Sequence, residues 1–305
     1  MSKKIVITGA TGFIGAAIAR EFLKNGDHVT VLIRTSSNVS RLSEIYDLIN
    51  FVTYDRLKDV RSSFGLDADI FIHCAWRGVA GSDRNEAFQF IDNIPLAIES
   101  VDLAARFGCT RWIGLGSQAE YGNLNNRIDE NSLTSPTTAY GRAKLTSGIA
   151  ALGLCEAFNI SGSWLRVFST YGPDDAPHWF VPYVIREFLA NRTPKLTKCE
   201  QMWDYLYVED AARAIVSVAY QNDATGIFNL GSGSSHSLKT CVEIIRETLK
   251  TDLIPEYGAI PYRADQVMHL EADISRLSKK TGWVPLVSLQ DGLVRTLDSL
   301  GSING

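Results

Sequence analysis

Apolar and polar positions alternate along this chain with two different periods. Short apolar runs rich in β-branched residues occur at 5–8, 29–33, 50–53, 69–73, 111–115 and 161–167. Runs of that length predict buried strands. Between them lie stretches with helical spacing. One is 14–23; another carries Ile94, Ile98, Val101 and Ala105 at i, i+4, i+7 and i+11, the mark of an amphipathic helix. A third holds Tyr140. Strands and helices in turn predict an α/β fold, a doubly wound parallel sheet with helices on both faces.

The pattern loosens after Arg166. Residues 171–182, rich in Pro, Asp and aromatics, read as a loop. Residues 205–220 and 227–230 read as a return to the sheet. Leu238, Val242, Ile245 and Leu249 line one helix face, and the proline-containing remainder reads as a small irregular cap. Two domains are expected: a dinucleotide-binding domain at 1–170 and 203–231, and a smaller, discontinuous α/β substrate domain at 171–202 and 232–305.

Composition narrows the partners. The 305-residue chain is 45% hydrophobic with a formal net charge of −4. The hydrophobic share suffices for a substantial core. The acidic balance, without a long Lys/Arg run, argues against nucleic acid. An anionic small ligand stays open, because single arginines bind phosphate inside acidic proteins. No stretch approaches the roughly 18 apolar residues of a membrane span, and the first glycines come too early for a signal peptide. A cytoplasmic protein away from membranes is expected. Cys74, Cys109, Cys155, Cys199 and Cys241 are dispersed without a CxxC pair, as free thiols in a reducing compartment are. Cys and His do not cluster at ligand spacing, so no metal is expected.

Gly9-Ala10-Thr11-Gly12-Phe13-Ile14-Gly15 follows the first strand and opens the first helix. Gly9 suits a tight turn, Gly12 lets backbone approach a pyrophosphate, and Gly15 lets helix pack on strand. The helix N-terminus then offers N–H donors to the anion. The spacing is GxxGxxG rather than GxGxxG, so context carries the argument. The second strand bears on the cofactor. An acid there would bind the ribose hydroxyls of NAD; 31–37 has none and offers Arg34, Ser36 and Ser37. Arg34 is placed to pair with a 2′-phosphate, which points to NADP; it is otherwise a solvated surface arginine. Asp55, past the third strand, is a candidate for the adenine amine or a plain turn aspartate.

Tyr140 and Lys144 stand at i and i+4, on one helix face. A free tyrosine, with pKa about 10, is a poor acid–base catalyst. A nearby ammonium, Lys144, and a cationic nicotinamide ring both favour the phenolate, so both are expected to lower Tyr140. Ser117 ends a strand where such sheets place ligands and can bond the reacting oxygen.

These segments resemble the extended short-chain dehydrogenase/reductases, the sugar-nucleotide epimerase, dehydratase and reductase group with a Rossmann fold. The resemblance runs from residue 4 to about 295. It covers the glycine motif, Asp69-Ile-Phe-Ile-His-Cys-Ala75, Gly116-Ser-Gln-Ala-Glu-Tyr-Gly122, Tyr140xxxLys144, Arg166-Val-Phe-Ser-Thr-Tyr-Gly-Pro173, Trp203-Asp-Tyr-Leu-Tyr-Val-Glu-Asp210, Phe228-Asn-Leu-Gly-Ser-Gly233, Ala272-Asp273 and Gly282-Trp283-Val284-Pro285. It implies catalytic roles for Ser117, Tyr140 and Lys144. It implies cofactor contacts at Gly9, Gly12, Phe13, Ile14, Arg34, Asp55, Ala75 and Asn93, and Thr11, Gly15 and Ser36 belong to the same surface. A homodimer through the Ile94 and Tyr140 helices is implied by the resemblance only.

Departures from the family pattern refine the expected reaction. Dehydratases of this group carry Asp-Glu after the catalytic Ser or Thr; here Gln118-Ala119 cannot perform those proton transfers. Family epimerases hold NAD, whereas Arg34 points to NADP and net reduction. The segments resemble most the reductases of nucleoside-diphospho-4-keto-6-deoxyhexoses, with dTDP favoured over CDP, GDP and UDP. Such enzymes serve deoxysugar and surface-polysaccharide biosynthesis. NADPH is expected to reduce C4, with Ser117 and Tyr140 on its oxygen. Arg263 matches the family's phosphate-binding arginine. A second arginine, before Asp204, is replaced by Trp203, leaving Arg77 or His178 to compensate, and the family's asparagine is Ser169. Trp76, Gln118, Glu120, His178 and Trp179 are candidates for the sugar or base pocket. The competing readings are a 4-epimerase with tightly bound NAD, a dehydrogenase running oxidatively, and a non-catalytic NADP-binding sensor.

Overall fold

The structure is a computed structural model describing residues 2–60, 67–263 and 266–302. The first half runs β1 (Lys4–Thr8), α1 (Phe13–Lys24), β2 (His28–Arg34), β3 (Asn50–Tyr54), β4 (Ile70–His73), α2 (Phe88–Ile91), α3 (Asn93–Arg106), β5 (Arg111–Ser117), β6 (Asn126–Ile128), α4 (Ala139–Ala157) and β7 (Ser161–Val167). The second half runs β8 (Ser169–Tyr171), α5 (Phe180–Leu189), β9 (Lys195–Leu196), β10 (Met202–Trp203), β11 (Tyr205–Tyr207), α6 (Val208–Tyr220), β12 (Gly226–Leu230), β13 (His236–Ser237), α7 (Leu238–Leu249), β14 (Glu256–Tyr257), β15 (His269–Ala272), α8 (Ser275–Thr281) and α9 (Leu289–Ser302).

The main sheet has seven strands in the order β12-β7-β5-β4-β1-β2-β3. All its pairings are parallel. This is the doubly wound architecture expected of alternating strands and helices. Both faces are covered, which is why its strands read as continuous apolar runs. Ile5, Ile7, Val31 and Ile72 pack beneath α1 and α6. Val6, Phe71, Trp112 and Trp164 pack beneath α3 and α4.

The second half returns β12 to the main sheet and α6 to its core, and most of its other elements form a smaller lobe. Its sheet, β13-β10-β15-β6, recruits β6 from the first half. Tyr171, Val181, Ile185, Val242, Ile245 and Leu293 make its core. The stretch expected to be an irregular cap contains α8 and α9, so that expectation is corrected. Leu289, Leu293, Leu297 and Leu300 of α9 pack into the lobe core at helical spacing. The expected loop at 171–182 is likewise shorter: α5 starts at Phe180, and Pro182 sits in its first turn, where the missing N–H costs nothing. One buried carboxylate ties the end of β10 to β15 and to the segment after β12. Asp204 accepts from the Ser232 N–H (2.6 Å) and hydroxyl (2.7 Å), the Gly233 N–H (3.1 Å) and the Ala272 N–H (3.0 Å).

Candidate active site

The connections from β1 and β4 leave in opposite directions, towards β2 and β5. Such a switch point opens a crevice at the carboxyl ends of the strands. Gly9 stands there with φ +73°, and a Cβ on it would lie 2.5 Å from the Ala75 backbone nitrogen. Only glycine combines that φ with that contact. Gly12 is the N-cap of α1; no side chain caps it and its first turn holds no acid. The leading N–H groups of α1 and its positive dipole end are thus left for an anion. Thr11 and Gly12 lie at this surface, while Phe13, Ile14 and Gly15 turn towards the core.

Arg34 ends β2 and is exposed, with Ser36 exposed two residues on. The Ser37 hydroxyl accepts from the Arg34 N–H (3.1 Å), turning the chain at this point. Arg34 pairs in register with Tyr54, which puts exposed Asp55 at the same edge. A glycine cradle, an uncapped helix end and a cation on the adjoining strand fit a dinucleotide.

Local structure on the other side of the crevice fixes the hydroxyl cluster. Ser117 closes β5, and its hydroxyl accepts from the Ala119 N–H (3.2 Å) to start the short 118–120 turn. Thr138 caps α4 by accepting from Gly141 (3.1 Å), and Asn85 accepts from Ala139 (3.1 Å). A Cβ at Gly141 would lie 2.4 Å from the Ala119 carbonyl oxygen. Glycine there lets the first turn of α4 lie on the 118–120 turn. Tyr140 thereby reaches a hydrogen bond with Ser117. Lys144, one turn on, donates from Nζ to the Leu115 carbonyl (2.6 Å) and sits 5.9 Å from the Tyr140 ring centre.

Electrostatics here differ from the sequence expectation. Burial pushes the Tyr140 phenol above its ordinary value; the Ser117 hydrogen bond and the Arg84 charge pull it back, and Glu120 pushes it up. Lys144 is not the group that lowers it. Burial lowers the Lys144 ammonium to about 7, against the opposing pull of Glu120 and Cys74. A lysine that titrates near neutrality is a weak lever on its neighbour. His73, which ends β4, and Cys74 after it lie beside Lys144. Burial and Lys144 lower His73 to about 3, and its Nδ1 shares a hydrogen bond with the Thr8 hydroxyl (2.9 Å).

Trp76 joins this cluster. Its ring lies 3.7 Å from Lys144 Nζ and meets Tyr140 edge-on at 6.0 Å between centres. Its indole N–H donates to Gln89 (2.9 Å). Asn93 is buried, and its amide bonds go to the Arg77 backbone (2.9 and 3.0 Å) and to Gln89 (3.0 Å). Asn93 therefore holds the loop that carries Trp76. Arg77 itself pairs with Asp92 at 2.5 Å.

Among the remaining candidates, Gln118 is half-buried beside Ser117. Glu120 does not line a sugar pocket. It is fully buried under Ser117, accepting from the Ser117 N–H (2.8 Å), Trp164 (2.9 Å) and Arg166 (2.7 Å). His178 and Trp179 are exposed, and their rings lie tilted to each other with centres 5.0 Å apart. Arg263 is exposed in the segment between β14 and β15. Trp203 and Ser169, the two departures from the family pattern, are bonded to each other: the indole N–H donates to the serine hydroxyl at 2.8 Å. Among the described residues no His, Cys, Asp or Glu group has metal-holding geometry, and no helix is long and apolar enough to cross a membrane. All five cysteines are free.

Fold and site define a dinucleotide-binding α/β protein with Ser, Tyr and Lys at the switch-point crevice. Residues 5–231 match the NAD dependent epimerase/dehydratase family, and the chain belongs to that family. Its members act on nucleotide sugars with a nicotinamide cofactor. The chain is 27% identical to the UDP-glucose 4-epimerase of Corynebacterium glutamicum, over 92% of this chain and 91% of that one. Its fold matches a UDP-N-acetylglucosamine 4-epimerase of Methanobrevibacter ruminantium M1 in complex with UDP-N-acetylmuramic acid. That match has TM-score 0.90 and 24% identity, covering 99% of each chain. It also matches the UDP-glucuronic acid 4-epimerase of Bacillus cereus in complex with UDP-glucuronic acid and NAD, with TM-score 0.85, 23% identity and coverage of 98% and 99%.

Proposed function

We propose that this protein is an NADPH-dependent reductase of the 4-keto group of a nucleoside-diphospho-4-keto-6-deoxyhexose, with dTDP the favoured nucleotide. The observation that carries net reduction is Arg34: an exposed cation, with no acid, at the β2 end where a 2′-phosphate would sit. Gln118 and Ala119 beside Ser117 remove the carboxyl groups that dehydration needs. A bound nicotinamide cofactor supplies the hydride chemistry. The chain's own residues do the rest. Ser117 holds the C4 oxygen against Tyr140, and the Tyr140 hydroxyl gives it a proton. Lys144, fixed by the Leu115 carbonyl, holds the nicotinamide ribose. Trp76 and Gln118 of the dinucleotide-binding part, with His178 and Arg263 of a substrate lobe made of 171–202 and 232–305, bind the sugar nucleotide. We further propose a cytoplasmic homodimer, supported by the outward apolar residues Ile98 of α3 and Ile149 of α4.

The second reading is a nucleotide-sugar 4-epimerase with tightly held NAD. The relatives described above favour it, and the Ser117–Tyr140 geometry serves both directions of hydride transfer. Two measurements separate the readings. Nucleotide released by denaturing purified protein is expected to be NADP or none; stoichiometric NAD favours the epimerase. Ketosugar-dependent NADPH oxidation is expected with the dTDP substrate, and Tyr140→Phe should lower its kcat by roughly 10²–10⁴-fold. The reductase reading fails if no dTDP, CDP, GDP or UDP ketosugar supports oxidation. Interconversion of UDP-glucose and UDP-galactose without added cofactor would establish the second.

A further inference from the structure

The loop between β4 and α2 brings one more cation to the site. Arg84 lies in the short Gly81–Asn85 turn, with its guanidinium carbon 4.8 Å from the centre of the Tyr140 ring. Two anchors hold that turn. Gln89 donates to the Asp83 carbonyl (2.9 Å), and Asn85 accepts from Ala139 at the start of α4 (3.1 Å). The turn is therefore tied both to the loop that carries Trp76 and to the helix that carries Tyr140. Arg84 Nε is buried and has no hydrogen-bond partner among the described residues. A buried, unpaired guanidinium N–H costs free energy unless a ligand meets it. Here the unpaired donor belongs to a side chain that covers the phenol assigned to proton transfer.

We propose that Arg84 is a substrate-binding residue, which presents its Nε–H to an oxygen of the hexose beside the reacting carbon and sets the electrostatics of Tyr140. The proposal rests on the reading of Tyr140 as the proton-transfer group. The charged groups facing that phenol are Arg84 from the turn, Glu120 from the 118–120 turn and Lys144 on its own helix; His73 and Cys74 face Lys144. Arg84 lowers the phenol, so its loss raises it. Hexose oxygens are the chemistry it recognises; the bare nucleotide is not.

The test compares wild type, Arg84→Gln and Arg84→Lys as full-length proteins. Calorimetry measures dTDP-glucose, UDP-glucose and the corresponding bare diphosphates. Carbon-13 tyrosine spectra follow the phenol, with Tyr140→Phe identifying its signal. Arg84→Gln is expected to weaken sugar-nucleotide binding roughly ten- to a hundredfold, the size of a charge-assisted hydrogen bond. Bare-diphosphate affinity should stay unchanged, and the Tyr140 titration should move up. Arg84→Lys should restore the titration but not the sugar affinity, a split that a packing role would not produce. Equal sugar affinity in wild type and Arg84→Gln overturns the proposal, as does an unmoved Tyr140 titration. If wild type binds neither sugar nucleotide, the proposed function fails; the tyrosine titration still decides whether Arg84 governs Tyr140.

Discussion

Lys144 carries its charge at a cost. In the unfolded chain it titrates near the ordinary lysine value; folded, burial brings it to about 7. Between those values the unfolded chain holds a proton that the folded one has released. Stability therefore rises with pH across that window and is lowest below it. Lys144→Met removes the titrating group. In nucleotide-free protein its gain in Tm over wild type should be largest at pH 6 and shrink by pH 9.5; a constant gap would contradict the buried ammonium. Arg34 makes a different prediction. Arg34→Ala should lower kcat/KM for NADPH roughly ten- to a hundredfold, the worth of a charge-assisted hydrogen bond, and leave NADH nearly unaffected. Ser117, Tyr140 and Lys144 were legible in the sequence because each has a local mark, a strand end or one helical turn. Arg84 and Glu120 were not. Nothing beside Arg84 in the chain signals that its turn folds over Tyr140, and Glu120 looked like a pocket residue until Arg166 was seen beside it. Spacing also could not report burial, which raises the Tyr140 phenol in the chain alone.

At the level of elements, β5, its following turn and β7 are fastened by one buried ion pair. Glu120 and Arg166 are both nearly inaccessible, and Arg166 also lies 4.4 Å from the centre of the Tyr121 ring. Removing one partner leaves an uncompensated buried charge, which costs about 3–5 kcal/mol. Glu120→Ala should lower the denaturant midpoint by that equivalent, and adding Arg166→Met should recover part of the loss. The main-sheet strands were readable because burial on both faces makes each an apolar run. The face of α3 was read less well. Ala97, Ser100, Val101 and Ala104 turn inward, while Ile98, assigned to the same stripe as Val101, is exposed. Small residues are what let α3 lie close to its neighbours, and a pattern search weights larger ones. The missed α9 belongs to the same scale: its leucines are regularly spaced, but α7 and β11 supply the surface that gives the spacing meaning.

For the whole molecule, the exposed faces of α3 and α4 bear on assembly. The two helices pack side by side, and Ile98 and Ile149 lie 37% and 64% exposed on them. Ile149→Glu should convert a dimer to a monomer in analytical ultracentrifugation; an unaltered dimer would place the contact elsewhere. The lobe arrangement was legible only in outline. Composition marks where regular alternation stops, but β6 enters the second sheet from far upstream, a pairing that no local pattern announces. Asp204 shows what the arrangement permits. Ser232, Gly233 and Ala272 all hang on this one carboxylate, and Asp210 holds the Leu286 and Val287 N–H groups in the same way, so the second half is fastened at several points. A segment exchanged between family members would have to keep both carboxylates together with the backbone donors that face them.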